Sequence, residues 1–236
     1  MTELLTTSTK IEKSNNYGTE YRTSIAYMLP AWQSGHNACP DATECAMQCI
    51  DTTGRMPMVY NARAYRSNLF YADKQAFGAQ LIEETQNNVR RNDKKKLRTA
   101  QRMNGTTDYA WEHIKFDGMT IINRFPEIQF YDYTKSLKRA KQHVNGELPN
   151  NYHLTFSRSE TTPDATVIEL VTSGQNVAVV FDVVPTEWLG LPVINGDEHD
   201  LRFIDPVGVI VGLKAKGKAK KDVSGFVVRL NSYSRH

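Results

Sequence analysis

The 236-residue chain has no apolar run approaching the roughly 20 residues that a membrane-spanning helix needs. Its longest, Asn176–Pro185 and Val207–Leu213, are about half that or less. Residues 1–16 are polar and lack an apolar core, so no secretory signal is expected there. No Gly-x4-Gly-Lys-[Ser/Thr] phosphate loop is present, which disfavours nucleotide hydrolysis by that route. No Gly-x-Gly-x-x-Gly follows a strand, and no Gly-x-Ser-x-Gly elbow exists, which weakens dinucleotide and serine-hydrolase readings. Net charge is also scarce: the formal value is +3, too little for a uniformly basic, histone-like binder. What is present suits a soluble globular protein. Hydrophobic residues make up 40% and charged residues 23%, so wholesale disorder is excluded. The expected location is the cytoplasm.

Cysteine is rare but concentrated. All three cysteines fall in Cys39-Pro-Asp-Ala-Thr-Glu-Cys45-Ala-Met-Gln-Cys49, a C-x5-C-x3-C pattern. An odd number in a cytosolic setting argues against a disulfide framework. Thiolates suit zinc and iron–sulfur clusters. A closed zinc site wants four protein ligands, and His36 offers itself as the fourth. A [4Fe–4S] cluster on Cys39, Cys45 and Cys49 would instead leave one iron open. A short helix over 42–50 would put Cys45 and Cys49 on one face.

Hydrophobic periodicity predicts an α/β protein. Strands are expected at 21–29, 96–104, 128–134, 152–157, 176–184, 208–213 and 225–230. Helices are expected at 61–91, 109–125 (with Asp108 as N-cap) and from Pro163 to a C-cap at Gly174, while 136–143 reads as a basic helix or turn. Strands alternating with helices imply βαβ units. The fold class is a partial (open) βα barrel or a mainly parallel sheet with flanking helices. Residues 1–20, without hydrophobic period, read as a flexible N-terminal arm, and 21–236 as a single domain.

In such folds ligands sit at the C-terminal ends of the strands. That places the cysteine loop, Asn104–Asp108, Asp132–Lys135, Ser157–Glu160, Asp182 and Lys214–Lys218 around one mouth. The 212–221 stretch carries five Lys and two Gly, a composition that can grip phosphates. Tyr131 and Tyr133 are candidates for base stacking or for packing against the adjacent helix, the commoner fate of such residues. His199, beside Asp197 and Asp200, reads chiefly as part of a turn.

A three-cysteine loop after the first strand of a βα protein resembles the radical S-adenosylmethionine enzymes, whose usual spacing is C-x3-C-x2-C. A closer resemblance is to the gene product 88 family of tailed bacteriophages. It is carried by Cys39-Pro40-x-Ala42-Thr43-x-Cys45-x3-Cys49, Arg102-x-Asn104-Gly105-Thr106-x-Asp108, Phe130-Tyr-Asp-Tyr-Thr-Lys135 and Asn151-Tyr-His-Leu-Thr-Phe-Ser157. These resemblances imply a phage protein working in a bacterial cell. They imply a cluster on Cys39, Cys45 and Cys49, with S-adenosylmethionine contacted by Asn104, Thr106 and Asp108. Asp132, Lys135 and Ser157 become the catalytic candidates. Tyr133, Lys214, Lys216 and Lys218 would face a nucleotide or nucleic acid. The alternative is a non-enzymatic phage effector, in which a structural zinc or cluster staples the fold and the basic loop binds host protein or nucleic acid.

Overall fold

The computed structural model describes residues 2–47, 49 and 56–230, with backbone alone at 56–57. The strands are β1 (Leu5–Thr6), β2 (Tyr21–Ala26), β3 (Arg98–Arg102), β4 (Lys115–Phe116), β5 (Met119–Thr120) and β6 (Gln129–Thr134). They continue with β7 (Tyr152–Ser157), β8 (Val177–Phe181), β9 (Glu187–Trp188), β10 (Leu191–Asn195), β11 (Ile210–Lys214) and β12 (Val227–Val228). The helices are α1 (Thr9–Asn15), α2 (Glu44–Met47), α3 (Tyr60–Ala72), α4 (Lys74–Asp93), α5 (Ile121–Arg124), α6 (Leu137–Val144) and α7 (Asp164–Thr172).

One ten-stranded sheet runs β1-β2-β3-β6-β7-β8-β11-β10-β9, with β12 added against β8. Among the described residues, only β1 and β9 pair antiparallel within it. The sheet is open and not closed into a barrel. From β2 through β3, β6, β7 and β8 to β11, each strand of this series lies beside the next. β7 and β12 share one edge of β8 in series: β7 pairs with Val177 and Ala178, β12 with Val180 and Phe181.

The two faces of the sheet are filled differently. Leu154 and Phe156 point the same way from β7. Leu154 packs with Phe70, Phe77 and Leu81 of α3 and α4, while Phe156 packs with Ala140 of α6 and Val167, Leu170 and Val171 of α7. Helices α3, α4, α6 and α7 therefore cover one face. Tyr131, the neighbour of Phe130, points to the other, where it meets Leu201, Phe203 and Ala100. The 3-10 turn Arg202–Ile204 lies against β6 and β7 there.

Several expectations need correction. The N-terminal segment is built into the domain: β1 pairs with β2, α1 packs on β2, and Leu4 and Ile11 are fully buried. Two short elements bury few apolar side chains, so no period was visible. The expected helix over 109–125 is a hairpin followed by α5. Asp117 and Gly118 both adopt positive φ (49° and 79°), the Asp-Gly signature of a type I′ turn between β4 and β5. The single helix expected over 61–91 breaks at Asp73, whose carboxylate accepts a hydrogen bond from the Ala76 N–H and caps α4. No strand was expected between 184 and 208, yet Leu191–Asn195 forms β10, parallel to β11. α2 covers only Glu44–Met47, and Gln48 and Ile50 of the helix expected there lie outside the described residues. Gly174, with φ 96°, follows the C-terminus of α7 as expected.

Gly78 of α4 supplies one test of this packing. A Cβ there would stand 2.4 Å from the Phe116 ring. Glycine to alanine in a helix interior ordinarily stabilises by about 0.5–1 kcal/mol. Gly78→Ala should instead destabilise by about 1–3 kcal/mol in urea melts. A stabilised variant would contradict the close approach of α4 to the β4–β5 hairpin.

Candidate functional site

A pocket of about 370 Å³ opens at the C-terminal ends of the parallel strands. Cys39, Cys45 and Cys49 line it together with Asn104, Thr106, Asp108, Tyr133, Lys135, Ser157, Lys214 and Lys216. The structure thus gathers eleven of the thirteen residues expected to act there. Asp132 is fully buried behind the wall, and Lys218 is exposed outside the pocket.

Each strand end delivers its residues through local chemistry. After β2, the chain turns at Pro30–Ala38, closed by the Ala38 N–H to Ala31 O bond. Cys39 Sγ then accepts from the Ala31 N–H (3.5 Å) and donates to the Thr106 carbonyl (3.7 Å). Cys45, on α2, packs against Ala215, Ala219, Phe226 and Val227. Burial pushes the Cys39 thiol up to about 11 and raises Cys45, against the pull of Lys135.

After β3, Asn104 organises the loop. Its side-chain carbonyl accepts from Thr107 Oγ1, the Tyr109 N–H and Trp111 Nε1, at 2.9–3.0 Å. Its amide donates to Tyr109 O and Asp132 Oδ2. The Asn104 side chain is therefore engaged in the scaffold beneath the pocket. Asp132 accepts from the Asn104 N–H (2.6 Å) and Tyr152 OH (2.9 Å), and burial pushes its carboxyl up to about 7. Such a group positions others and does not itself face the cavity.

Asp108 was expected to cap a helix. It instead accepts from the Lys135 N–H (2.8 Å), Thr134 Oγ1 (3.2 Å) and Arg139 Nη1 (2.6 Å). Burial still raises its pKa against Arg139. Lys135 Nζ donates to Ser157 O, Ser157 Oγ and Arg158 O at 3.1–3.2 Å, and lies over the Phe226 ring. Burial lowers its pKa, opposed by Cys45 and Asp108.

At the other end of the pocket, Asp200 is fully buried between Lys10 (2.8 Å) and Arg102 (2.7 Å). Burial opposes its ionisation, yet these two cations hold the carboxyl well below the usual range. Arg102 lies over the Tyr133 ring at 4.7 Å. The lysine loop is anchored as well: Lys216 Nζ pairs with Asp197 Oδ1 (2.6 Å), and the Lys214 N–H reaches Asp197 Oδ2. Ala215 and Ala219 are buried beneath it. Lys10 and Arg102 were missed as pocket residues. Lys10 sits in a segment without period, and the signal for Arg102 was its place at the end of a strand. His199 is buried, tilted against Tyr17 and bonded to Arg202, and so belongs to the packed wall.

The thiols can be judged as ligands. Among the described residues, no three His, Cys, Asp or Glu side chains converge as ligands of one metal ion. A tetrahedral zinc holds its sulfurs at about 2.3 Å from a single centre. A four-iron cluster takes each thiolate on a separate iron, so its ligands stand further apart. His36 is not in the pocket wall; its ring stacks on Tyr71 at 3.7 Å between centroids. The cavity wall carries three thiols, Cys39, Cys45 and Cys49, and among the described residues no histidine lines it.

Fold and site define an open α/β protein with a cysteine-lined pocket at the C-terminal mouth of its parallel strands. The chain matches the Gene product 88 family over residues 2–230 and belongs to that family. No curated protein and no solved structure matches it. Among the described residues, no helix is long and apolar enough to cross a membrane.

Arg139 is the residue on which this wall depends. Arg139→Leu leaves Asp108 and Glu112 buried without their cation, at an expected cost of about 3–5 kcal/mol in chemical denaturation. Arg139→Lys recovers only part of this, because an ammonium cannot reproduce the planar fork. A loss below about 1 kcal/mol for the leucine variant would contradict the role assigned to this cluster.

Proposed function

We propose that this chain is a phage-encoded iron–sulfur enzyme, resembling the radical S-adenosylmethionine type, that acts in the bacterial cytoplasm on a nucleotide or nucleic acid. The observation that supports it is the placement of Cys39, Cys45 and Cys49 on one pocket wall, with His36 outside that wall. In this reading the three thiolates hold a [4Fe–4S] cluster. Bound there and reduced by an external one-electron donor, such a cluster would supply an electron and an open coordination position to S-adenosylmethionine.

The chain's own residues bind and orient. The Asn104–Asp108 loop gives the polar wall, with the Asp108 carboxylate facing the cofactor's cationic groups. Lys135 holds a fixed positive charge at Nζ beside Cys45 and Asp108, on the side where substrate enters. Ser157 fixes that ammonium through Oγ (3.2 Å). Asp132 acts as a positioning residue, because it lies behind the wall and reaches the pocket through Asn104 and the Tyr152–Arg139 contacts. The apolar contacts of Cys45 with Phe226 and Val227 keep water from the thiol side of the cavity.

Anaerobic purification with metal, sulfide and visible-absorption analysis tests the reading. The expected result is a brown protein with about four irons per chain, lost in Cys45→Ala. One zinc and no colour would instead favour the non-enzymatic effector with a structural zinc. No metal in anaerobically prepared protein, even after reconstitution with iron and sulfide, would remove the cluster reading.

A further inference from the structure

The cysteine-free end of the pocket carries a group of charges that the cluster does not use. Lys10 of α1, Arg102 of β3, and Lys214 and Lys216 at the end of β11 all line it. Two carboxylates face these four cations. Asp200 is held by Lys10 and Arg102, and Asp197 by Lys216 and the Lys214 N–H. Behind them Arg202 pairs with Asp205 at 3.2 Å, so that pair adds no net charge. Four cations against two carboxylates leave two positive charges unmatched. A phosphate monoester carries about −1.5 to −2 at neutral pH.

A second observation points the same way. Arg102 Nε is buried and has no hydrogen-bond partner. Its Nη1 is taken by Asp200 and its face by Tyr133. A buried guanidinium N–H without an acceptor is costly unless a ligand supplies one.

We infer that this end of the pocket is a phosphate subsite, formed by Lys10, Arg102, Lys214 and Lys216, and that it takes the phosphate of a small phosphorylated molecule. The inference rests on reading the cavity as the substrate pocket and narrows the substrate class proposed above. A polymer is disfavoured because the four cations come from three separate elements and meet in one cavity of about 370 Å³. The remaining lysines of the loop, Lys218, Lys220 and Lys221, are exposed and do not line it. Charge-assisted contacts to phosphate oxygens are the strong kind.

Calorimetric titration of the full chain with inorganic phosphate, in chloride-matched buffer, is the test. One site per chain is expected. Arg102→Lys keeps the charge beside Asp200 but removes Nε, and Lys214→Ala removes an exposed cation; each should weaken binding about tenfold. Lys214→Ala should melt at the wild-type temperature, so it keeps the test valid if Arg102→Lys folds poorly. A competing single-stranded oligonucleotide should not displace the phosphate. No phosphate binding at about 10 mM would overturn the inference. So would binding undiminished in every folded variant, or an oligonucleotide that binds saturably through Lys218, Lys220 and Lys221 in place of phosphate. Iron content is measured on the same samples, so loss of the cluster reading and loss of the phosphate subsite are read separately.

Discussion

The guanidinium of Arg139 is buried, and all five of its N–H groups are spent. Nε and Nη2 form a fork on Glu112 (2.7 and 2.9 Å), Nη2 also reaches Tyr152 OH, and Nη1 reaches Asp108 Oδ1 and Thr134 Oγ1. Those acceptors come from the loop after β3, the end of β6 and the start of β7. One planar cation therefore fixes the relative placement of three strands where the pocket begins. Tyr152 OH passes the constraint to Asp132, and Asp132 to Asn104, which shapes the loop down to Trp111. Buried ions are expensive to strand, so this cluster is stable only when complete.

A similar logic holds the opposite wall. Asp200 is buried between Lys10 and Arg102, and its N–H donates to Ser14 Oγ. Lys13 Nζ donates to Asp197 O. The short helix α1 is thus bound to the 197–202 segment by polar contacts, while Ile11 supplies the apolar anchor. The pocket has two chemically distinct ends as a result. One has soft sulfur donors above the buried Arg139–Asp108–Glu112 cluster. The other has excess positive charge. On the proposed reading, a cluster held at one end and a phosphate bound at the other would let a cofactor and a phosphorylated substrate meet between them.

Much of this was legible from residue pattern. The near-continuous apolar runs at β8 and β11 marked central parallel strands, and they are buried between neighbours. The rule that ligands gather at C-terminal strand ends located Thr106, Asp108, Lys135, Ser157, Lys214 and Lys216 without any contact information, and it misplaced Lys218. Other features were hidden for physical reasons. β1 and α1 bury only a few apolar side chains and depend on long-range partners such as Glu84, whose carboxylate accepts the Leu4 and Leu5 N–H groups. Over 109–125 a helix capped by Asp108 was expected, but Asn104 takes the Tyr109 N–H and Trp111 Nε1, and Asp117-Gly118 turns the chain. Asp132 looked catalytic because it ends a strand among polar residues. Its side chain points into the scaffold, a distinction that only strand register decides.

The central claim is that the three cysteines leave one iron open to a ligand inside this pocket. Electron paramagnetic resonance of the reduced, anaerobically prepared protein addresses it directly, recorded with and without S-adenosylmethionine. The account predicts a cluster signal that shifts when S-adenosylmethionine is added and that disappears in Cys45→Ala. A cluster signal unchanged by S-adenosylmethionine would contradict the open position.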